Sequence, residues 1–229
     1  LAKAILATSN AACVTDTVPA DYDGAVRGCD AGDTIDFRLT LQNAGRLAAR
    51  NVRLDDDQGS PAAGFGGSCA VLAVTDGNGV AVPTTGSLFD TSANGGLTIA
   101  QIPADLSSAV LPGETVRVDY RCTVSPAALP GLPARNFDNT ARLKYYASDP
   151  AETTNPAANY ASNTSFPGPN VHRTRISLAD IQSVAKAITA TSVAQTTTPN
   201  VNAGETLTFT ITVTLSEGQY QGFSLTDTR

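Results

Sequence analysis

Apolar residues recur at every second position in several short runs of this chain. Ile35, Phe37, Leu39 and Leu41 alternate with Asp36, Arg38, Thr40 and Gln42. Val116, Val118, Tyr120, Cys122 and Val124 make a second such face, and Ala141, Leu143, Tyr145 and Ala147 a third. Leu207, Phe209, Ile211 and Val213 alternate with threonines in a fourth. A period of two puts one set of side chains on a buried face and the other in water, so each run predicts a half-buried strand. Turn residues separate the runs, at Asn43, Ala44 and Gly45 and again from Asp76 to Gly79. Residues 178–190 are open to reading as the start of a helix, but their second half matches the first strand of the chain.

That match belongs to an internal repeat. The segment LAKAILATS at 1–9 returns as VAKAITATS at 184–192, AGDTIDFRLTL at 31–41 as AGETLTFTITV at 203–213, and VRLDD at 52–56 as FSLTD at 223–227. The blocks keep their order, with offsets of 183, 172 and 171 residues, so the first copy carries 11 extra residues before Ala31. Self-similarity of this kind marks a repetitive architecture. The expectation is an all-β chain: an immunoglobulin-like β-sandwich over 1–183, followed over 184–229 by the first strands of a second copy. The second copy has too few strands to bury a core alone. Either the natural protein continues past Arg229, or a strand from a neighbour completes the half-domain.

Composition narrows the function. The chain has 229 residues, 41% of them hydrophobic and 16% charged, with a formal net charge of −6. Its lysines and arginines are scattered, which disfavours nucleic-acid binding and anionic membranes. No run of apolar residues is long enough for a helical membrane span. No signal peptide is visible and there is no methionine, so the chain reads as processed, proteolysed or a fragment. The single histidine, His172, sits in a loop-like context and leaves no Ser/His/Asp arrangement; no phosphate-binding or dinucleotide motif occurs. No enzyme activity, cofactor or metal is expected. Gly64 to Gly67 reads as a flexible turn, and Asp55 to Asp57 as a solvated acidic turn rather than a calcium loop. Asn163 opens a weak glycosylation sequon.

The four cysteines, Cys13, Cys29, Cys69 and Cys122, form no CxxC pair, and one histidine is little for a zinc site. Two disulfides in an oxidising compartment are favoured over buried thiols, and three pairings are possible. Cys13 with Cys29 would pin the inserted segment. Cys69 with Cys122 would join an apolar run to the inward register of its neighbour.

Parity also turns three polar residues inward. Lys3 shares a face with Leu1, Ile5 and Ala7, and Lys186 with Val184, Ile188 and Ala190. Asp56 follows Val52 and Leu54, Asp227 follows Phe223 and Leu225, and Asn139 leads the face of Ala141 and Leu143. A buried ammonium is costly unless paired or neutralised. One resolution is an ion pair of Lys3 with Asp56. The other is chemical: taken out of water, an amine sheds its proton more readily and a carboxyl keeps one. A neutral amine on Lys3 then attacks the Asn139 carboxamide while Asp56 shuttles protons, ammonia leaves, and an amide cross-link remains.

The same residues carry a resemblance. Lys3, the segment AGDTIDFRLTLQN at 31–43, VRLDD at 52–56 and NTA at 139–141 are similar to the conserved-repeat domains of bacterial surface proteins, the DUF11 or isopeptide-forming repeats. The resemblance implies an immunoglobulin-like fold, tandem stalks in adhesins and fimbrial proteins, and a Lys3–Asn139 isopeptide assisted by Asp56, with Lys186 and Asp227 in the equivalent places. The first copy has Asp55, Asp56, Asp57 and Gln58 where the family has D-x-L-P, so Asp55 or Asp57 takes the acid's place if the register slips. The expected role is a structural stalk or fibre module, secreted or on the bacterial surface, whose partners are adjacent repeats or other copies in a fibre. The alternative is an adhesive module whose loops between Asp57 and Leu111 contact a host ligand or glycan.

Overall fold

A computed structural model describes residues 1–57, 64–65, 68–82, 97–102, 109–125, 136–147, 171–179, 181–197, 200–215 and 223–228. The regular elements among them are all strands: β1 (Ala2–Thr8), β2 (Val14–Thr15), β3 (Gly24–Cys29), β4 (Thr34–Gln42), β5 (Arg50–Asp57), β6 (Cys69–Asp76), β7 (Leu97–Ile102), β8 (Thr115–Thr123), β9 (Asn136–Ala147), β10 (Val171–Leu178), β11 (Ile181–Thr191) and β12 (Leu207–Leu215). Within 178–190 there is no helix among the described residues: Leu178 ends β10 and residues 181–190 belong to β11, in keeping with their β-branched residues.

Two sheets form the sandwich, ordered β1-β4-β8-β6 and β2-β3-β10-β9-β5-β7. Taking β1, β4, β5, β6, β7, β8, β9 and β10 as strands A, B, C, D, C′, E, F and G, these orders are A-B-E-D against G-F-C-C′. That is the strand pairing of an immunoglobulin sandwich; β7 takes the C′ position beside β5 but follows β6 in the chain, so it is an excursion between D and E rather than the C′ strand of the variable type. Alternation explains the core. Ile35, Phe37, Leu39, Val118, Tyr120 and Cys122 on one sheet, with Val52, Leu54, Ala141 and Ile176 on the other, are all essentially inaccessible to solvent.

The inserted segment becomes structure that alternation does not announce. β2 pairs antiparallel with β3, and β3 lies parallel to β10, extending the second sheet. The Cys13–Cys29 disulfide closes it, and Cys69–Cys122 joins the facing positions of β6 and β8. Loops of 16 and 53 residues are closed, worth about 3 and about 4 kcal/mol in the chain-entropy account. Gly28, at φ 74°, turns its chain where a Cβ would stand 2.5 Å from the Ala12 carbonyl oxygen.

Three expectations are corrected. Ala7 leaves the inward face, because a bulge between Ile5 and Ala7 adds one residue to β1 and reverses its parity. Phe65, expected in a flexible turn, is 1% exposed and meets Phe37 and Phe137 edge to face at 5.7 and 5.0 Å. His172 lies on β10, where its Nδ1 is 2.8 Å from Asp23 Oδ1, because pairing with Ala141 of β9 extends the strand to Val171. The side chains of Asp55, Asp57, Tyr145 and Ala147, together with Gly66, Gly67, Asn163 and most of the segment between Asp57 and Leu111, lie outside the described residues.

β11 and β12 form a separate antiparallel pair whose register reproduces that of β1 and β4. Lys3 faces Leu39 and Ile5 faces Phe37; Lys186 faces Ile211 and Ile188 faces Phe209. The bulge recurs as well, between Ile188 and Ala190.

Candidate functional site

The site lies between the sheets and is assembled from five strands. Lys3 comes from β1, Phe37 from β4 and Tyr120 from β8, all in the first sheet. Asp56 comes from β5 and Asn139 from β9, in the second. Asp56 faces Ala141 across the β5–β9 ladder. Asn139 is two residues from Ala141, so it occupies the same face as a diagonal neighbour of the acid. On β10, Thr174 stands opposite Asn139.

Lys3 Nζ donates to Asp56 Oδ1, and both side chains have no exposure. The Tyr120 hydroxyl donates to Asp56 Oδ2. Asn139 Nδ2 donates to the Tyr120 oxygen at 3.1 Å. Asp56, Tyr120 and Asn139 are all 0% exposed. Aromatic rings wall the cluster: the Lys3 nitrogen stands 5.3 Å from the Phe37 centroid and 5.8 Å from that of Tyr120, and the two rings stack at 5.2 Å. A cation over ring faces is attracted by their quadrupoles.

Electrostatics follow from burial. Burial, followed by the charge of Asp56, pushes the Tyr120 phenol far above its ordinary range. It stays protonated at neutral pH and acts there as a donor. Asn139 Oδ1 and Thr174 Oγ1 are buried and find no hydrogen-bond partner among the described residues. The structure thus brings Lys3, Asp56 and Asn139 into one closed, mostly apolar chamber. Among the described residues no group of His, Cys, Asp and Glu is placed to hold a metal.

The corresponding residues of the last segment meet under different conditions. Lys186 Nζ is 2.5 Å from Asp227 Oδ1 and 4.6 Å from the Phe209 centroid. Their side chains are 38% and 42% exposed, so this pair is open to solvent where Lys3 and Asp56 are fully buried.

Tyr120 is the residue that alternation did not single out. Its inward place made it one more core residue, yet a buried phenol needs a partner for its hydroxyl. That need is the signal that points to it.

No family model matches the chain, and no curated protein matches it. Among solved structures it is similar to a chain called BspA_C_WT, with 12% identity, a TM-score of 0.42, and coverage of 81% of this chain and 52% of that one. It is similar to the Actinomyces fimbrial adhesin FimA (13%, 0.33, 71% and 54%). It is also similar to the T6 backbone pilin of serotype M6 Streptococcus pyogenes (14%, 0.36, 98% and 50%). The chain spans about half the length of each of these. At such scores nothing about mechanism passes from one chain to another, and the chemistry has to be read from the cluster itself.

Proposed function

We propose that this chain is a structural stalk or fibre module of a repetitive, secreted or surface-exposed bacterial protein, and that its sandwich joins its own sheets through a Lys3–Asn139 amide. The observation that carries the reading is a lysine, an aspartate and an asparagine buried together between the sheets. A solvent-facing lysine would gain no more than about 1 kcal/mol from an ion pair. A buried one costs several kcal/mol of desolvation that its partner must offset. The reaction gives the expensive group a use. The ammonium yields a proton to Asp56, the free amine attacks Asn139 Cγ, and the carboxamide nitrogen leaves as ammonia. Each chain turns over once and is its own substrate.

Supporting the location are two disulfides, which persist in oxidising compartments. Among the described residues, no helix is long and apolar enough to cross a membrane. The resemblance to DUF11 repeats belongs to the same reading. So does the division into a repeat at 1–183 and the opening of another at 184–229. The register shared by β1–β4 and β11–β12 favours that division.

Intact-protein mass spectrometry tests the cross-link. After allowance for four hydrogens lost to two disulfides, the expected mass is one ammonia below that of the sequence. Lys3→Met and Asn139→Ala chains are expected at their full sequence masses. An unmodified mass for the folded wild-type chain overturns the cross-link.

Assembly through the last segment is a second reading with its own observation. Val184, Phe209, Leu215, Phe223 and Leu225 are each between 40% and 54% exposed, an apolar face that further strands would cover. Those strands come from the adjoining repeat of the same protein or from a second copy. Concentration-independent monomer mass in sedimentation runs on this 229-residue chain counts against the second copy.

A further inference from the structure

Resting on the cross-link reading, we infer that Tyr120 is a catalytic residue of the reaction: its phenol relays a proton from Asp56 to the departing Asn139 nitrogen. The geometry is a chain of three groups. Asp56 Oδ1 meets the Lys3 nitrogen, Asp56 Oδ2 meets the Tyr120 hydroxyl, and the Tyr120 oxygen meets Asn139 Nδ2 at 3.1 Å. The acid therefore reaches the leaving group through the phenol. With the phenolic hydrogen directed at Asp56, the oxygen accepts from Nδ2, which also fixes which end of the carboxamide faces it.

The proton count closes on this path. The Lys3 ammonium gives one proton to Asp56 and the amine attacks Asn139 Cγ, opening the carbonyl to an oxyanion. The new C–N bond leaves a second surplus proton on the lysine nitrogen, which passes to the acid once the first has moved on. The attack leaves Nδ2 with a free lone pair; the Tyr120 hydroxyl then turns from Asp56 to Nδ2 and gives up its hydrogen there as its oxygen takes the proton from Asp56. The C–Nδ2 bond breaks with its electron pair on nitrogen, the carbonyl re-forms, and an ammonium ion carries away both protons. Phenylalanine at 120 keeps the ring that stacks on Phe37 and removes the relay.

The test follows cross-link formation by intact mass as chains purified unfolded are refolded under disulfide-forming conditions across a range of pH. For Tyr120→Phe the expected result is a rate at least about 100-fold below wild type, the scale of a lost proton-transfer group. Correct disulfides and an unchanged strand signal by circular dichroism report that the variant has folded. A Tyr120→Phe chain that cross-links at the wild-type rate overturns the inference while leaving the cross-link standing. A wild-type chain that never loses ammonia overturns both. If Tyr120→Phe does not fold, 3,5-difluorotyrosine installed at position 120 keeps the shape and lowers the phenol's basicity. A changed rate and pH profile then support the relay, and unchanged ones overturn it.

Discussion

Asp56 is the residue on which the buried chemistry converges, since its two oxygens serve Lys3 and Tyr120. Asp56→Asn keeps the volume and removes the charge. The expected outcome is loss of the ammonia-deficient mass together with a stability lower by about 3–5 kcal/mol, the usual cost of stranding one member of a buried pair. Urea unfolding of the variant, compared with Lys3→Met, measures it. If both partners are replaced together, as in Lys3→Met with Asp56→Leu, much of that loss is expected to return, because no uncompensated charge remains. The residue scale is also where the sequence was most informative. Parity sent Lys3, Asp56 and Asn139 inward from three separate strands. Tyr120 escaped because alternation classifies a tyrosine by its ring and is silent about its hydroxyl.

Elements were legible where tertiary structure demanded a regular face. β4, β8 and β12 follow from alternation alone; β4 and β8 bury their apolar side in the core, while that of β12 is open to solvent. β2 and β3 did not, because their short segment is held by pairing to β10 and by a disulfide rather than by its own pattern. Phe65 was missed for a related reason: a lone aromatic between glycines has no period to read. The turn after β6 shows the opposite case. Asp76 Oδ1 accepts the amide hydrogens of Asn78 and Val80 at 2.8 Å each, and Gly79 adopts φ 86°. The hydrogen bond from the Val80 amide, the largest influence, holds the Asp76 carboxyl below the ordinary range. A depressed folded-state value means stability that is present above the unfolded carboxyl's range and lost as pH falls through the folded one. Asp76→Ala is therefore expected to lower the melting temperature at neutral pH. The gap to wild type closes in strongly acidic buffer, as thermal unfolding at several pH values will register.

For the whole molecule, the proposed amide changes how tension travels. A pull between the first residues and the end of β10 enters at Lys3 and crosses directly to Asn139, leaving the intervening chain unstretched. Only the residues after Asn139 lengthen, a contour of about 140 Å at full extension for the stretch up to Leu178. Without the amide, and with both disulfides intact, about 390 Å is released. Single-molecule pulling on wild type and on Asn139→Ala separates the two. A long release from wild type counts against the stalk reading at the scale where it matters.

β3, lying parallel to β10, has a consequence of its own. The closing strand of an open sandwich is ordinarily a border and tends to fray from its free side. Here β10 is zipped along both flanks, to β9 on one and to β3 on the other. Peeling it away must undo two ladders at once, and β3 is itself tethered to Cys13 through Cys29. The amides of Thr174 and Ile176 should accordingly be among the slowest in the chain to exchange with deuterated water, slower than those along the outer rim of β1.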